Sequence, residues 1–299
     1  MGLYVEIPIA SSMDELWEKT QDPELHQRWD LRFTEIEYLP RKAEEPQGFL
    51  YRTRIGFGLK IDGKGESTGT RDGDGDTRTS SLRFWSEDPK SLIKVGSGYW
   101  KYVPASNVIR FFTWYDYETR FGPVGKALDK CLFRPLLGWA TAWSFDRLRL
   151  WIEHGIPPEV SRDRTLVYSI ARATVAFTWF YHGLFPKLLH HDAIELDLVS
   201  RVGTPASRLI MAVTVAGWAE IFFAALFLVL WRHKWPLWLT VVLMLIGIPV
   251  VAITAPAYLG AAFNPVTLNL GLVALSAIGL IAGRDLPTAA RCLRKPSRS

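Results

Sequence analysis

Between residues 209 and 281 the chain has only three formally charged side chains, Glu220, Arg232 and Lys234. So long a stretch with so little charge reads as a chain segment solvated by lipid rather than by water. A helix needs roughly twenty apolar residues to cross a hydrocarbon core about 30 Å thick. Four stretches meet that requirement: residues 165–188, 209–231, 236–254 and 265–282. Arg232 and Lys234 sit in a short turn between the second and third, and Trp231, Trp235 and Trp238 cluster there as interfacial anchors. Upstream, charge is dense between residues 21 and 90, so the first part of the chain belongs to a different solvent. The expected division is a soluble domain at 1–155, a four-helix transmembrane domain at 164–283 and a basic cytoplasmic tail at 284–299. Residues 1–9 hold no long apolar run, so membrane delivery is expected from the later helices.

Lys and Arg near the span ends set orientation. One side carries Arg162, Arg164, Arg232, Lys234, Arg284, Arg291, Arg294, Lys295 and Arg298. The other carries Lys187, Arg201 and Arg208 in a loop that also holds Asp192, Glu195 and Asp197. This balance places both termini in the cytoplasm and the 190–207 loop outside. It also accounts for the net charge of +5 without a nucleic-acid partner, since the basic residues form membrane flanks rather than a binding stripe.

Ionisable groups inside a bilayer are expensive, which singles out Arg172, His182 and Glu220, with Asn269 as a polar neighbour in the last span. If the first two spans are antiparallel neighbours, Glu220 lies at a depth between Arg172 and His182, given about 1.5 Å rise per residue. An Arg172–Glu220 pair with His182 beside it is one reading, either as a structural ion pair or as a proton- or quinone-handling site. In the other, Arg172 and His182 reach toward the two headgroup layers and Glu220 acts as a hydrogen-bond donor.

Three separated motifs carry a resemblance: Ala171-Arg172 with Trp179-Phe180-Tyr181-His182-Gly183-Leu184-Phe185-Pro186-Lys187, then Gly217-Trp218-Ala219-Glu220, then Phe263-Asn264-Pro265-Val266-Thr267-Leu268-Asn269-Leu270. Together they resemble the DoxX-like family of four-helix membrane proteins. The resemblance implies quinone-linked redox chemistry, with a diffusible quinone and a redox partner protein. No cysteine falls within a span, and no haem, flavin or metal motif is present.

The first part of the chain alternates like a sheet protein. Leu3, Val5, Ile7 and Ile9 repeat with period two. Ser11 or Ser12 then caps a helix containing Leu16 and Trp17, and Asp22-Pro23-Glu24 opens a second. Strands are predicted at 33–39, 49–61, 66–70, 78–86, 92–103 and 108–119, followed by a helix over 123–154 broken at Pro135. Val5-Glu6-Ile7, Asp14-Glu15-Leu16-Trp17, Asp22-Pro23 with Trp29, and Phe121-Gly122-Pro123-Val124-Gly125 resemble the START-like (SRPBCC, polyketide-cyclase-like) superfamily. The expected fold class is therefore α+β: a helix-grip START-like domain followed by an all-α bundle of four transmembrane helices. The resemblance implies a cavity for an apolar ligand, with Trp85, Trp100, Trp114, Tyr117, Trp139 and Trp143 as lining candidates.

Other motifs carry no chemistry. Asp72-Gly73-Asp74-Gly75-Asp76 has Thr77 where a calcium loop needs glycine, and reads as a hairpin turn. Gly56-Phe57-Gly58 reads as strand interior rather than a phosphate loop, and Gly63-Lys64-Gly65 as a tight turn. His190 and His191 are adjacent and would point apart on a helix. The expected function is membrane-anchored binding of a hydrophobic molecule, a lipid or quinone, by the cytoplasmic START-like domain. The alternative is a membrane subunit of a quinone-linked oxidoreductase system of the DoxX type. Whether a reaction is catalysed stays open at this point.

Overall fold

The computed structural model describes residues 2–41, 45–56, 58–262 and 264–296; Phe57, Phe263 and Arg298 lie outside the described residues. The chain divides into two compact units, Met1–Ser161 with Asp285–Ser299, and Arg162–Arg284.

The first unit is a seven-stranded antiparallel sheet with strand order β1-β7-β6-β5-β4-β3-β2. Its strands are β1 (Leu3–Ile9), β2 (Glu35–Tyr38), β3 (Gly48–Gly56), β4 (Leu59–Asp72), β5 (Arg78–Trp85), β6 (Ile93–Ala105) and β7 (Val108–Thr119). Two short helices, α1 (Met13–Gln21) and α2 (Pro23–Trp29), follow β1. The Ser12 hydroxyl accepts from the Glu15 amide at 3.1 Å, and the Asp22 carboxylate accepts from Glu24 and Leu25, so each helix has its expected cap. The alternating side chains Val5, Ile7 and Ile9 pair with Thr113, Phe111 and Ile109 across the β1–β7 register. They pack with Leu16, Trp29, Trp100, Tyr102, Ala142, Phe145 and Leu148 into one core.

The region predicted as one long helix is built in three parts: α3 (Gly122–Leu128), a π-helical turn (Asp129–Phe133) and α4 (Arg134–His154). Pro135 falls in the first turn of α4, directly after the π-helical turn, so α-helical hydrogen bonding is interrupted at the proline while the segment stays helical. From Thr141 to Leu150 every residue of α4 is buried.

Two glycine motifs differ from expectation. Gly56 and Leu59 flank the β3–β4 hairpin, where Gly58 has φ +75°, so this motif turns the chain rather than running through a strand. Gly63 and Gly65 lie inside β4, opposite Tyr51 and Phe49. A Cβ there would sit 2.2 Å from the Tyr51 ring and 2.3 Å from the Phe49 ring; the glycines make room for the rings lying across them.

The segment after Arg284, expected as a basic tail, is part of the sheet unit. Leu293 exchanges backbone hydrogen bonds with Glu6 at 3.0 and 2.9 Å, and the Thr288 amide donates to Asp146 at 2.8 Å. The Cys292 thiol donates to the Ala142 carbonyl at 3.2 Å and its side chain joins the core. The physical reason is the open edge of β1, whose unpaired backbone groups need a partner.

The second unit contains α5 (Pro158–His182, from Arg162 onward), a π-helical segment (Gly183–Leu189), α6 (Ala193–Arg201), α7 (Leu209–Val229), α8 (Trp235–Thr254) and α9 (Pro265–Ala282). Among the described residues three helices are long and apolar enough to cross a membrane: Ala206–Val229, Trp235–Thr254 and Pro265–Ala282. The first of the four expected spans, on α5, is not among them. Ser169, Arg172, Thr174, Thr178 and His182 dilute the apolar character of α5 and keep it out of that set. The 190–207 segment, expected as a loop, folds into α6, capped by Asp192 and packed on α7.

Candidate functional site

Arg172 does not pair with Glu220. Its side chain is fully buried and caps the C-terminal end of α7. It donates to the Phe227, Leu230 and His233 carbonyls at 2.8, 2.7 and 3.0 Å and to the Tyr168 hydroxyl at 3.0 Å. The carbonyls at a helix C-terminus carry partial negative charge and lack intrahelical donors, so a guanidinium satisfies them without a carboxylate. The Tyr168 hydroxyl donates in turn to the Trp231 carbonyl at 2.6 Å.

Glu220 instead meets Lys187, which the sequence counts among the basic residues at the outer end of the first expected span. The Lys187 Nζ lies 3.2 Å from Glu220 Oε1 and 3.1 Å from Glu195 Oε1. Lys187 reaches that depth through local backbone geometry. Pro186 has no amide to give and would crowd an α-helical turn; the π-helical segment around it absorbs this. The same segment approaches α7 at two glycines. A Cβ on Gly183 would stand 2.6 Å from the Gly217 carbonyl, and one on Gly217 would stand 2.8 Å from the Gly183 carbonyl. Only glycine at both positions lets the backbones come this close.

Beside the cluster is a cleft of about 850 Å³, whose lining includes Trp179, His182, Lys187, Glu195, Glu220 and Asn269. Three of the four predicted polar residues, His182, Glu220 and Asn269, therefore share one cleft, and Arg172 lies elsewhere. Lys187 and Glu195 complete the cluster; the signal in the sequence was Pro186, which should have raised a non-α turn. Two carboxylates share one ammonium, and Glu220 Oε2 is buried without a hydrogen-bond partner among the described residues. An orphaned acceptor of this kind beside open volume is a place for a ligand donor.

In the sheet unit the predicted lining residues do not surround one cavity. Trp100 packs between Trp29 and Phe111, and Trp143 is buried on α4. Tyr117 donates to Asp129 at 2.6 Å. Trp85 and Trp114 lie on the other face of the sheet, because their registers alternate with the core-facing pairs Ser80–Trp100 and Ile7–Phe111. Trp139 is exposed. A buried polar network occupies the interior instead. Arg32 donates to both oxygens of Asp30 at 2.9 and 2.6 Å, His26 stands 3.0 Å from the same carboxylate, and the Tyr115 and Thr141 hydroxyls are 2.9 Å apart. The Arg32 guanidinium holds the Asp30 carboxyl well below the usual range against the opposing effect of burial. Burial pushes the His26 imidazole below its ordinary value, with Asp30 pulling the other way. The neutral form is the one the site favours, since Arg32 already compensates the carboxylate.

Comparison with known proteins bears on both units. Residues 176–277 match the DoxX-like family. The chain is 44% identical over 234 residues to the uncharacterized membrane protein YndG of Bacillus subtilis, covering 78% of this chain and 79% of that one. Several solved structures are similar to about half of this chain. These include a STAR-related lipid transfer protein from Xanthomonas axonopodis (14% identity, TM-score 0.40, 51% of this chain and 85% of that one). A hypothetical protein from Helicobacter pylori is similar to the same degree (15% identity, TM-score 0.41, 51% and 88%).

Proposed function

Since the chain belongs to the same family as YndG and carries a DoxX-like domain, we propose that it is a multi-pass membrane protein that binds an amphipathic small molecule. The ligand is a lipid or a quinol, and its polar end meets Glu220. The observation that supports this most directly is the buried, unpartnered Glu220 Oε2 beside a cleft of about 850 Å³. A hydroxyl donor on an otherwise apolar molecule fits that acceptor, with Trp179 and Phe185 as apolar walls. A quinone-linked oxidoreductase role is the second reading. It is favoured by His182, which lines the same cleft, and it needs a redox partner protein to supply electrons.

The topology proposed is four crossings with both termini cytoplasmic. Residues before Arg162 and after Arg284 form one compact unit, so the chain leaves and returns on the same side of the bilayer. An even number of crossings is then required, and the three apolar helices make an odd number. The 25-residue α5 is long enough to be the fourth. Four of its polar side chains have partners within the unit: Ser169 and Thr178 donate to the carbonyls of Thr165 and Thr174, Trp179 to Thr240, and Arg172 to the end of α7. Leu166, Ile170 and Phe177 on its surface are exposed, as a lipid-facing side requires. The basic flanks Arg162, Arg164, Arg232 and Lys234 set the cytoplasmic side.

The test is native mass spectrometry of the full chain released from nanodiscs, with a short-chain quinol and a lysophospholipid as probes. One probe should be retained by the unmodified chain and lost, by tenfold or more, from Glu220→Leu. Equal retention by both chains sinks the assignment. A reporter fused after Ser299 should behave as cytoplasmic, and one inserted at Asp197 as external.

A further inference from the structure

The first half of the long helical segment carries an apolar face that nothing in its own unit covers. Phe121, Val124, Leu128, Leu132, Leu136 and Trp139 are each about half exposed or more, with Val124 at 75%. They recur every three or four residues along α3, the π-helical turn and the start of α4, which keeps them on one side. Scattered exposed apolar residues are ordinary on a protein surface, but a continuous stripe of six large ones is not. The stripe ends where α4 enters the core, at Thr141.

The charge on this helix has one sign. Lys126 and Lys130 are exposed, whereas Asp129, the only acid from Gly122 to Trp139, is buried. It accepts from Tyr117 and pairs with Arg134 at 2.8 Å. The water-facing charge of the helix is therefore positive, complementary to anionic lipid headgroups. The lipid is also always within reach. The sheet unit is joined to the membrane helices at two places, Ser161 to Arg162 and Arg284 to Asp285, so its encounter with a bilayer surface is intramolecular.

We propose that residues 121–139 form a membrane-docking helix, with the stripe from Phe121 to Trp139 lying in the headgroup–acyl boundary of the bilayer that holds the rest of the chain. Interfacial helices of this type bury their apolar face about 5–10 Å below the headgroups. Trp139, stacked on Trp143 with ring centroids 6.4 Å apart, is an anchor at one end.

The experiment uses the full chain with Cys131→Ser, reconstituted in nanodiscs containing phosphatidylglycerol. A nitroxide is attached at Val124→Cys or Leu132→Cys on the stripe, or at Lys126→Cys beside it. Collisions with oxygen, which concentrates in lipid, are compared with collisions with a water-soluble nickel chelate. At the two stripe positions the oxygen-to-nickel ratio should exceed that at Lys126 several-fold. Charge placed on the stripe, Leu128→Glu with Leu136→Glu, should bring the Val124 and Leu132 labels to the ratio of the Lys126 label while the chain stays in the nanodisc. Equal ratios at all three positions in the uncharged chain would show a hydrated helix and overturn the proposal. Labels shielded from both reagents, with dipolar broadening between them, would show a second copy on the stripe and overturn it equally.

Discussion

Lys187 shows how a single side chain can redirect an ion pair. Counting rise per residue pairs Glu220 with Arg172, whereas the structure gives Arg172 to the carbonyls ending α7 and Glu220 to Lys187. A double-mutant cycle distinguishes the two arrangements. Glu220→Gln and Lys187→Met should couple by about 1–3 kcal/mol in detergent unfolding, while Glu220→Gln and Arg172→Gln should add within about 0.5 kcal/mol. Lys187→Met alone is the more damaging change, because it strands two carboxylates. Strong coupling between Glu220 and Arg172 would refute the arrangement. In the sheet unit, His26 supplies the pH dependence. Its folded-state value lies below the ordinary 6.5, so the unfolded chain binds more protons as pH falls through that range. The stability it contributes is complete above about pH 6.5 and is lost on acidification below it, at no more than about 1.4 kcal/mol per pH unit. Asp30, also depressed, adds its loss only below about pH 4. Melting curves of the full chain between neutral pH and pH 5 should show this slope, and His26→Gln should flatten it.

At the scale of elements, periodicity revealed what depends on near neighbours. The period-two run of β1, the Ser12 and Asp22 caps and the turn at Gly75, with φ +66°, are all legible in short windows. The tail was not legible, because its partners Glu6, Ala142 and Asp146 lie more than 140 residues away and its basic residues look like a membrane flank. The length of α5 reads as a span while its Ser, Thr and Arg residues dilute its apolar character; the hydrogen bonds that Ser169, Thr178, Trp179 and Arg172 make to its own carbonyls and to α7 and α8 are not recorded in composition. Gly63 and Gly65 looked like a turn for a related reason, since the rings they accommodate belong to the adjacent strand. The docked tail carries the prediction for this scale. Truncation after Arg284 should destabilise the sheet unit by roughly 2–4 kcal/mol, from two lost backbone hydrogen bonds at about 1 kcal/mol each and the buried Cys292. Thiol labelling checks docking directly. Burial pushes the Cys292 thiol up to about 12, so alkylation of the folded chain should reach exposed Cys131 and leave Cys292 unmodified. Rapid labelling of both would mean that the tail is not docked.

For the whole molecule, the consequence of the Glu6–Leu293 pairing concerns time. A ribosome emits β1 before the membrane helices and Leu293 after them. The sheet unit therefore begins its core early and then waits, one edge open and Cys292 absent, until the helices have been placed and Leu293 emerges. A chain whose insertion stalls or inverts leaves the sheet unfinished, with its β1 edge open to proteases and chaperones. Closing β1 with residues that follow the membrane helices thus makes completion of the sheet unit a record that those helices have been threaded correctly.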